Sequence, residues 1–339
     1  MKGYMMGYSA RDAIKCGSAT IENHLPETGL QKTVSDILYD LYSSPKRISS
    51  KYFYDAEGSR LFTEITRLPE YYPTRTENAI LRELPLDKLI GSFDIDIIEL
   101  GSGDHSKIAI MLDRLLSEDL THVRYVPVDI SQSALETSIM ELAGRFPGLA
   151  VQAIVADYCH QIHLLPEKRK KLFCFLGSTI GNLNRDEAMD FVRKITRTMN
   201  PGDGFLIGFD RIKETAVLEK AYNDATGVTE RFNKNILRVV NRLILSDFEP
   251  DDFEHKAFYN PSERRIEMHL EAKKQLRIRC PFIEKHFELH KGESIHTENS
   301  HKFELHDILA IGAYAGLSAD RLFSDNNAWF SLAYFLKTE

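Results

Sequence analysis

The stretch Asp94-Ile-Asp-Ile-Ile-Glu-Leu-Gly-Ser-Gly-Asp-His-Ser-Lys107 decides the fold. Ile95, Ile97, Ile98 and Leu100 form a short apolar run that Gly101 stops, the pattern of a buried strand entering a tight turn. Behind the polar start Asp104-His105-Ser106, apolar residues recur at Ile108, Met111, Leu112 and Leu115, the i, i+3, i+4, i+7 spacing of one helix face. Open α/β sheets cradle nucleotide-like ligands with this strand, glycine turn and helix. Gly101 and Gly103 let the backbone bend sharply and approach a ligand, and the helix N-terminus offers unpaired N–H groups. The third glycine of the dinucleotide fingerprint is missing, so a βα turn without a ligand competes with a binding site, and the neighbouring strands must decide.

Outward from that turn, Val123-Arg-Tyr-Val-Pro-Val-Asp129 has the pattern of the next strand, with Asp129 at the end where doubly wound sheets accept ribose hydroxyls. Ser133-x-x-Glu136 supplies a capping box for the following helix, which leaves Asp129 free for a ligand. Ala150 to Ala156 forms another strand and ends in Asp157-Tyr158, a carboxylate and a ring suited to adenine, or simply a turn. Lys171-Leu-Phe-Cys-Phe-Leu176 is apolar enough for the sheet centre and opens into Gly177-Ser-Thr-Ile-Gly-Asn182, after which Asn184-x-x-Glu187 caps a helix. A loop at the carboxyl end of a central strand is where such sheets place substrate. Phe205 to Phe209 follows the turn Asn200-Pro-Gly-Asp203 and ends in Asp210.

Residues 212 to about 245 then read as helices, and from Arg265 the period becomes two: Ile266, Met268, Leu270 and Ala272 alternate with charged residues, and Leu276, Ile278, Cys280, Phe287 and Leu289 continue an antiparallel meander. A helix over about 303–314 and a strand over 329–336 close the chain. Upstream, residues 1 to about 30 lack periodicity and read as an arm, and helices are expected at 33–42 and about 75–84. Between those helices lie two tyrosine clusters, Lys51-Tyr-Phe-Tyr-Asp55 and Leu68-Pro-Glu-Tyr-Tyr-Pro-Thr-Arg75, the second in a proline-bracketed loop. They serve either as core filler or as the lining of a cavity.

With 339 residues, 43% of them hydrophobic, the chain can bury a large core. A net charge of −7 with mixed signs argues against a nucleic-acid surface. Cys16, Cys159, Cys174 and Cys280 are widely spaced and suggest no disulfide framework or zinc motif. Together with the absence of an apolar segment of signal or membrane length, they lead us to expect a cytoplasmic protein with no membrane partner. The late histidines His286, His290, His296, His301 and His306 read as solvated, without a metal site.

Alternating strands with acidic ends fit either a nicotinamide-dependent enzyme or a class I S-adenosylmethionine methyltransferase, and the short Glu99-Leu-Gly-Ser-Gly103 turn favours the methyl donor, which has no pyrophosphate to cradle. From about Pro45 onward the chain resembles the histidine-specific Nα-methyltransferases that make hercynine in ergothioneine biosynthesis. The motifs are Lys51-Tyr-Phe-Tyr-Asp55, Ile65-Thr-Arg-Leu-Pro-Glu-Tyr-Tyr-Pro-Thr-Arg75, Phe175-Leu-Gly-Ser-Thr-Ile-Gly-Asn182, Asp224-Ala-Thr-Gly-Val-Thr229, Phe232-Asn-Lys-Asn235 and Arg265-Ile-Glu-Met268.

The resemblance implies a Rossmann-like sheet with a smaller α+β substrate domain, S-adenosyl-L-methionine as cofactor and L-histidine as substrate. It implies cofactor contacts at Gly101, Lys107, Asp129, Asp157 and Tyr158, and catalytic positions Tyr54, Asn182 and Gly177 beside the substrate amine. Tyr71 and Tyr222 are implied to hold the substrate carboxylate, Met268 to pack beside the imidazole, and Glu298 with Ser300 to hydrogen-bond it. Ser178 stands where the pattern more often has glycine, and Tyr158 where it often has phenylalanine. Without the resemblance, Glu298 reads as a solvated charge in 293–298. We expect a methyltransferase core of 76–211 and 301–339, a substrate domain of 30–75 and 212–300, and an arm of 1–29. The rivals are an Nα-methyltransferase of another aromatic amino acid, such as tryptophan, and a non-catalytic binding subunit of the same fold.

Overall fold

The computed structural model describes residues 11–16, 19–25, 30–91, 94–282 and 286–339. Its strands are β1 (Arg11–Cys16), β2 (Ala19–Asn23), β3 (Ile95–Leu100), β4 (Val123–Asp129), β5 (Ala150–Val155), β6 (Lys170–Phe175), β7 (Gly204–Asp210), β8 (Phe253–Asn260), β9 (Arg265–Ala272), β10 (Leu276–Ile278), β11 (Phe287–Leu289), β12 (Ser294–His301), β13 (Ser318–Ser324) and β14 (Phe330–Leu336). Nine of these form one sheet in the order β1-β2-β5-β4-β3-β6-β7-β14-β13. From β2 through β7 the neighbours run parallel, and β14 lies antiparallel on β7.

The sheet is buried on both faces, which is why its central strands read as unbroken apolar runs. In β3, Ile95 and Ile97 join Leu112 and Leu135 on one side, while Ile98 and Leu100 join Phe173 and Phe175 on the other. β3 has β4 on one flank and β6 on the other, so the order of connection reverses between β3 and β6. A crevice opens at the carboxyl ends of strands on either side of such a reversal, and Gly101 and Gly177 both lie there.

A second sheet, β12-β9-β8, is covered by the helix Val228–Ile244. Phe53, Phe232, Ile236, Val240, Ile266, Met268, Leu270 and Ile295 share a separate apolar cluster there. The motif residues hold this lobe together. Asp224 accepts the N–H groups of Val228 and Thr229 at 2.9 and 2.8 Å, fixing the start of the long helix. Asp55 accepts from Gly58 N–H and from Asn235 Nδ2, both at 2.8 Å, which ties Tyr54 to that helix.

Four expectations need correction. Residues 11–16 and 19–23 form a hairpin that extends the sheet, with Thr20 opposite Gln152, instead of a separate arm. β2 is five residues long and alternates too briefly for a period to register. Tyr72 and Pro73 belong to the first turn of the helix Tyr72–Glu83, where proline's missing N–H costs nothing, so the loop ends before Tyr72. Ser131, not Ser133, caps the helix Gln132–Arg145, its hydroxyl accepting from Ala134 N–H at 3.4 Å. The expected meander divides: β10 and β11 pair as a separate ribbon, while β9 is flanked by β8 and β12, for which no strand was expected.

β12 carries a bulge that matters for the site. His296 pairs with His269, but Glu298 pairs with Met268, so Thr297 is an extra residue between them. The His269 and His296 rings meet on the outer face, with centroids 5.0 Å apart. Unbroken alternation from His296 would point positions 298 and 300 outward as well. The inserted residue reverses the phase and turns both toward the inner face beside Met268.

Candidate active site

The crevice has two walls, and a buried carboxylate joins them. On the β3 side, Gly101 turns the chain with φ of +64°, and a Cβ there would lie 3.3 Å from the Tyr158 ring, so a side chain would crowd the gap. The Tyr158 ring is fixed edge-on to Phe175 and Phe191 at 5.8 and 5.9 Å. Asp129 is less free than expected: its two oxygens accept Gly103 N–H and Ser131 N–H, each at 2.9 Å. Each oxygen keeps a second lone pair, so the carboxylate is held at the mouth of the turn and still able to accept. Burial raises its pKa while these N–H groups oppose the rise. Asp157 accepts Cys159 N–H and pairs with His160, both at 2.9 Å, as a turn-forming aspartate does.

On the β6 side, Gly177 has φ of +76°, and a Cβ there would lie 2.7 Å from Lys107 Nζ. Glu77, fully buried, accepts Gly177 N–H at 2.7 Å and pairs with Lys107 Nζ at 2.9 Å. Burial works against the Lys107 ammonium, but Glu77 outweighs it and the pKa is raised. Glu77 thus ties the glycine-turn helix to the Gly177 loop. It sits mid-helix with nothing in the sequence to mark it as buried. Ser178 adopts the left-handed φ of +55°, a conformation glycine takes more easily, and its Oγ accepts Asp210 N–H at 2.9 Å.

Between the crevice and the second lobe lies a cavity lined by Tyr54, Tyr71, Gly177, Asn182, Tyr222, Met268, Glu298 and Ser300, all from the predicted set. The structure therefore brings the expected substrate-side residues together, and Lys107 reaches the cavity's edge through Gly177. Pro73, Asp210, Thr229, Phe62 and Phe232 also line it. Phe62 and Phe232 complete an aromatic wall in which Tyr54 lies 5.7 and 5.9 Å from them, Phe62 lies 6.4 Å from Tyr71, and Tyr71 lies 6.1 Å from Tyr222. The tyrosine clusters are thus cavity wall and core at once. Phe62 and Phe232 lie on the apolar faces of the helices Ala56–Ile65 and Val228–Ile244, a signal of burial but not of a cavity, whereas Asp210 gave no signal beyond its place at a strand end.

The cavity's electrostatics follow from burial. It raises Tyr54 and Tyr71 well above the ordinary phenol range, reinforced by Glu298 and neighbouring tyrosines, so both phenols stay protonated. Tyr54 therefore meets a ligand as a hydrogen-bonding hydroxyl. Burial also pushes Glu298 up to about 7, against the pull of the Lys302 ammonium. At the cavity floor, Asp210 is held below the usual carboxylate range despite its burial, by Lys302 and Lys213. The Tyr72 hydroxyl and Lys213 Nζ donate to the Asp210 carboxylate, and Lys302 Nζ approaches its other oxygen at 2.8 Å.

Glu267, His269 and His296 come together on the outer face of β9 and β12. Each already has a partner: Arg265 and Asn260 on Glu267, Glu267 on His269, and Asn299 on His296. Among the described residues no helix is long and apolar enough to cross a membrane.

The histidine-specific, S-adenosylmethionine-dependent methyltransferase model matches residues 33–337. The chain is 38% identical to the histidine N-alpha-methyltransferase of Mycolicibacterium smegmatis over 88% of this chain and 92% of that one. It is 37% identical to the Mycobacterium tuberculosis protein of the same name, over 94% and 99%. A 29% identical match to ergothioneine biosynthesis protein 1 of Schizosaccharomyces pombe covers 68% of this chain and 31% of that longer protein. A sheet that ends in a glycine-turn crevice, an aromatic cavity beside it and a family match spanning nine-tenths of the length agree: the chain belongs to the histidine-specific, S-adenosylmethionine-dependent methyltransferase family.

Proposed function

We propose that the chain methylates the α-amine of L-histidine three times in succession to give hercynine, the first step of ergothioneine biosynthesis. The observation that carries this is the meeting of Asn182, Tyr222, Met268 and Glu298, from four separate segments, in one cavity against the Gly101 crevice. The crevice fits S-adenosylmethionine. Gly101 leaves room beside the Tyr158 ring, Asp129 keeps lone pairs for ribose hydroxyls, and Asp157 with Tyr158 stands where adenine is expected. When bound, that molecule supplies a methyl carbon on a sulfonium, open to in-line displacement.

This chain's residues align a neutral amine with that methyl. Asn182 and Tyr54 orient the amine by hydrogen bonds, and the left-handed turn at Gly177 leaves space beside it. The ammonium proton leaves before attack, to water or through the Tyr54 hydroxyl. Tyr71 and Tyr222 hold the carboxylate, while Met268 packs on the ring and Glu298 accepts its N–H. As methyl groups accumulate, the aromatic wall of Tyr54, Phe62, Tyr71 and Phe232 accommodates the growing cation. The substrate lobe is assigned to 30–75 and 212–300, and the core to 76–211 and 301–339 with the β1–β2 hairpin added. Cytosolic placement and indifference to nucleic acid are part of the same proposal, supported by the free thiols of Cys159, Cys174 and Cys280 and by the acidic balance.

The test is to incubate the purified protein with S-adenosylmethionine and each of the twenty amino acids and read mass gains. A gain of three methyl groups on histidine alone is the expected result. A gain on tryptophan only, or none on any, overturns the proposal.

A further inference from the structure

Behind the cavity, Lys302 is a buried ammonium whose hydrogen bonds are fully committed. Its side chain is 0% exposed. Nζ lies 2.8 Å from Asp210 Oδ2, 2.8 Å from Ser300 Oγ and 3.3 Å from the Tyr222 hydroxyl. An ammonium has three N–H donors and no lone pair. Each donor therefore goes to one of these oxygens, and neither hydroxyl can give its own proton to Lys302. Ser300 and Tyr222, 2.8 Å apart, are left with two hydroxyl protons, at most one of which can lie between them. The other must point into the cavity that both residues line. A ligand acceptor placed against each hydroxyl releases the internal bond and takes both protons.

We propose that Lys302 is a specificity-determining positioning residue: it fixes Ser300 and Tyr222 as hydrogen-bond donors, so that the cavity selects an amino acid presenting one acceptor to each. This rests on the histidine reading above. Tyr222 then donates to the substrate carboxylate, and Ser300 donates to the ring nitrogen that carries no proton, while Glu298 accepts from the nitrogen that does. A neutral imidazole meets this donor and acceptor pair, whereas indole and phenyl rings offer no acceptor to Ser300. Asp210 fixes the ammonium in place, with Tyr72 and Lys213 completing its shell.

The test compares L-histidine with histamine, which keeps the ring and amine but lacks the carboxylate that Tyr222 addresses. Binding to the S-adenosylhomocysteine-loaded enzyme and steady-state kinetics are measured for wild type, Lys302→Met and Lys302→Leu, in both of which Asp210 keeps Lys213 and Tyr72 as partners. In the variants, KM for histidine should rise about tenfold or more, kcat should change much less, S-adenosylhomocysteine affinity should hold, and the preference for histidine over histamine should shrink about tenfold. Equal weakening of both ligands, or no change in either, overturns the proposal, because a purely structural lysine would not alter the ratio.

Should neither variant fold, a neutron structure of the wild-type protein reads the same claim. Three deuterons on Nζ, with the Ser300 and Tyr222 deuterons directed away from it, support the proposal; either hydroxyl donating to Nζ overturns it. The neutron result needs no substrate. A wild-type enzyme that leaves histidine unmethylated therefore counts against the substrate reading, separately from the donor arrangement.

Discussion

The Gly101 crevice and the β12 edge form opposite walls of one site, yet they are built in different ways. At the crevice, function depends on what the backbone can do within a few residues: Gly101 and Gly177 take left-handed conformations, and the strand ends carry the acidic groups. At β12, Glu298 and Ser300 face the cavity in the phase that the Thr297 bulge sets against β9, some thirty residues earlier in the chain. The crevice is encoded locally and the selecting wall by pairing at a distance. Damage to the first should remove methyl transfer altogether, and damage to the second should remove the choice of substrate.

The largest expected effect comes from removing both groups that the bulge turns inward, in a Glu298→Ala and Ser300→Ala double variant. Deleting Thr297 would not remove them, because Glu298 would then follow His296 directly and still face inward opposite Met268; truncating the two side chains isolates what they contribute. Histidine kcat/KM should fall by about 10³-fold or more, while S-adenosylhomocysteine binding, read by calorimetry, stays within about twofold. Retained histidine turnover would show that the side chains the bulge turns inward do not select the substrate.

Gly177→Ala acts on the opposite wall. Its left-handed φ costs an L-residue about 1–2 kcal/mol, and the new methyl would meet Lys107 Nζ at 2.7 Å. We expect kcat to fall about 10²-fold with histidine affinity less affected, since displacement near the reacting atoms costs rate first. An equal rise in KM would mean that the loop positions substrate more than it clears the amine's path.

A smaller effect concerns pH. Burial raises the Glu298 carboxyl from its ordinary value to about 7 in the fold. Below that pH the group holds its proton and cannot accept the ring N–H, so kcat/KM should climb as pH rises through about 7, and Glu298→Gln should remove that ionisation from the profile. Stability runs the other way. A carboxyl whose pKa is raised on folding favours the fold at pH below its unfolded value, and the benefit is lost as pH rises through 7. The Gln variant should therefore melt at a higher temperature than wild type at pH 8. An unchanged profile together with an unchanged Tm would place Glu298 in contact with water.

Much of the crevice was legible because its signals are short-range. The Gly101 turn, Asp129 at its strand end and the Asn184 capping box with Glu187 each depend on neighbours within a few positions, and the capping box has both hydrogen bonds. The motif set assembled around Tyr54, Tyr71, Asn182 and Tyr222 was also visible, because these residues lie in distinctive strings. Glu298 was legible only through resemblance: alternation alone leaves it solvated, and the bulge that turns it inward has no sequence mark. Glu77, Lys302 and Asp210 were silent for a related reason. A charged residue in a helix or strand reads as exposed unless its partner is known, and their partners, Lys107 for Glu77 and Lys302 for Asp210, lie 30 and 92 positions away in the numbering. The β1–β2 hairpin was missed because two short strands offer too few residues for alternation to emerge.

The central claim is that the sheet presents the methyl donor while the appended lobe chooses the amino acid through its ring. Glu298→Ala tests it most directly, with affinity for S-adenosylhomocysteine and kcat/KM for histidine measured on the same preparation. The account predicts donor affinity within about twofold of wild type and a histidine kcat/KM lower by about tenfold to a hundredfold. Proportional loss of both would contradict it and make Glu298 a structural residue of the fold.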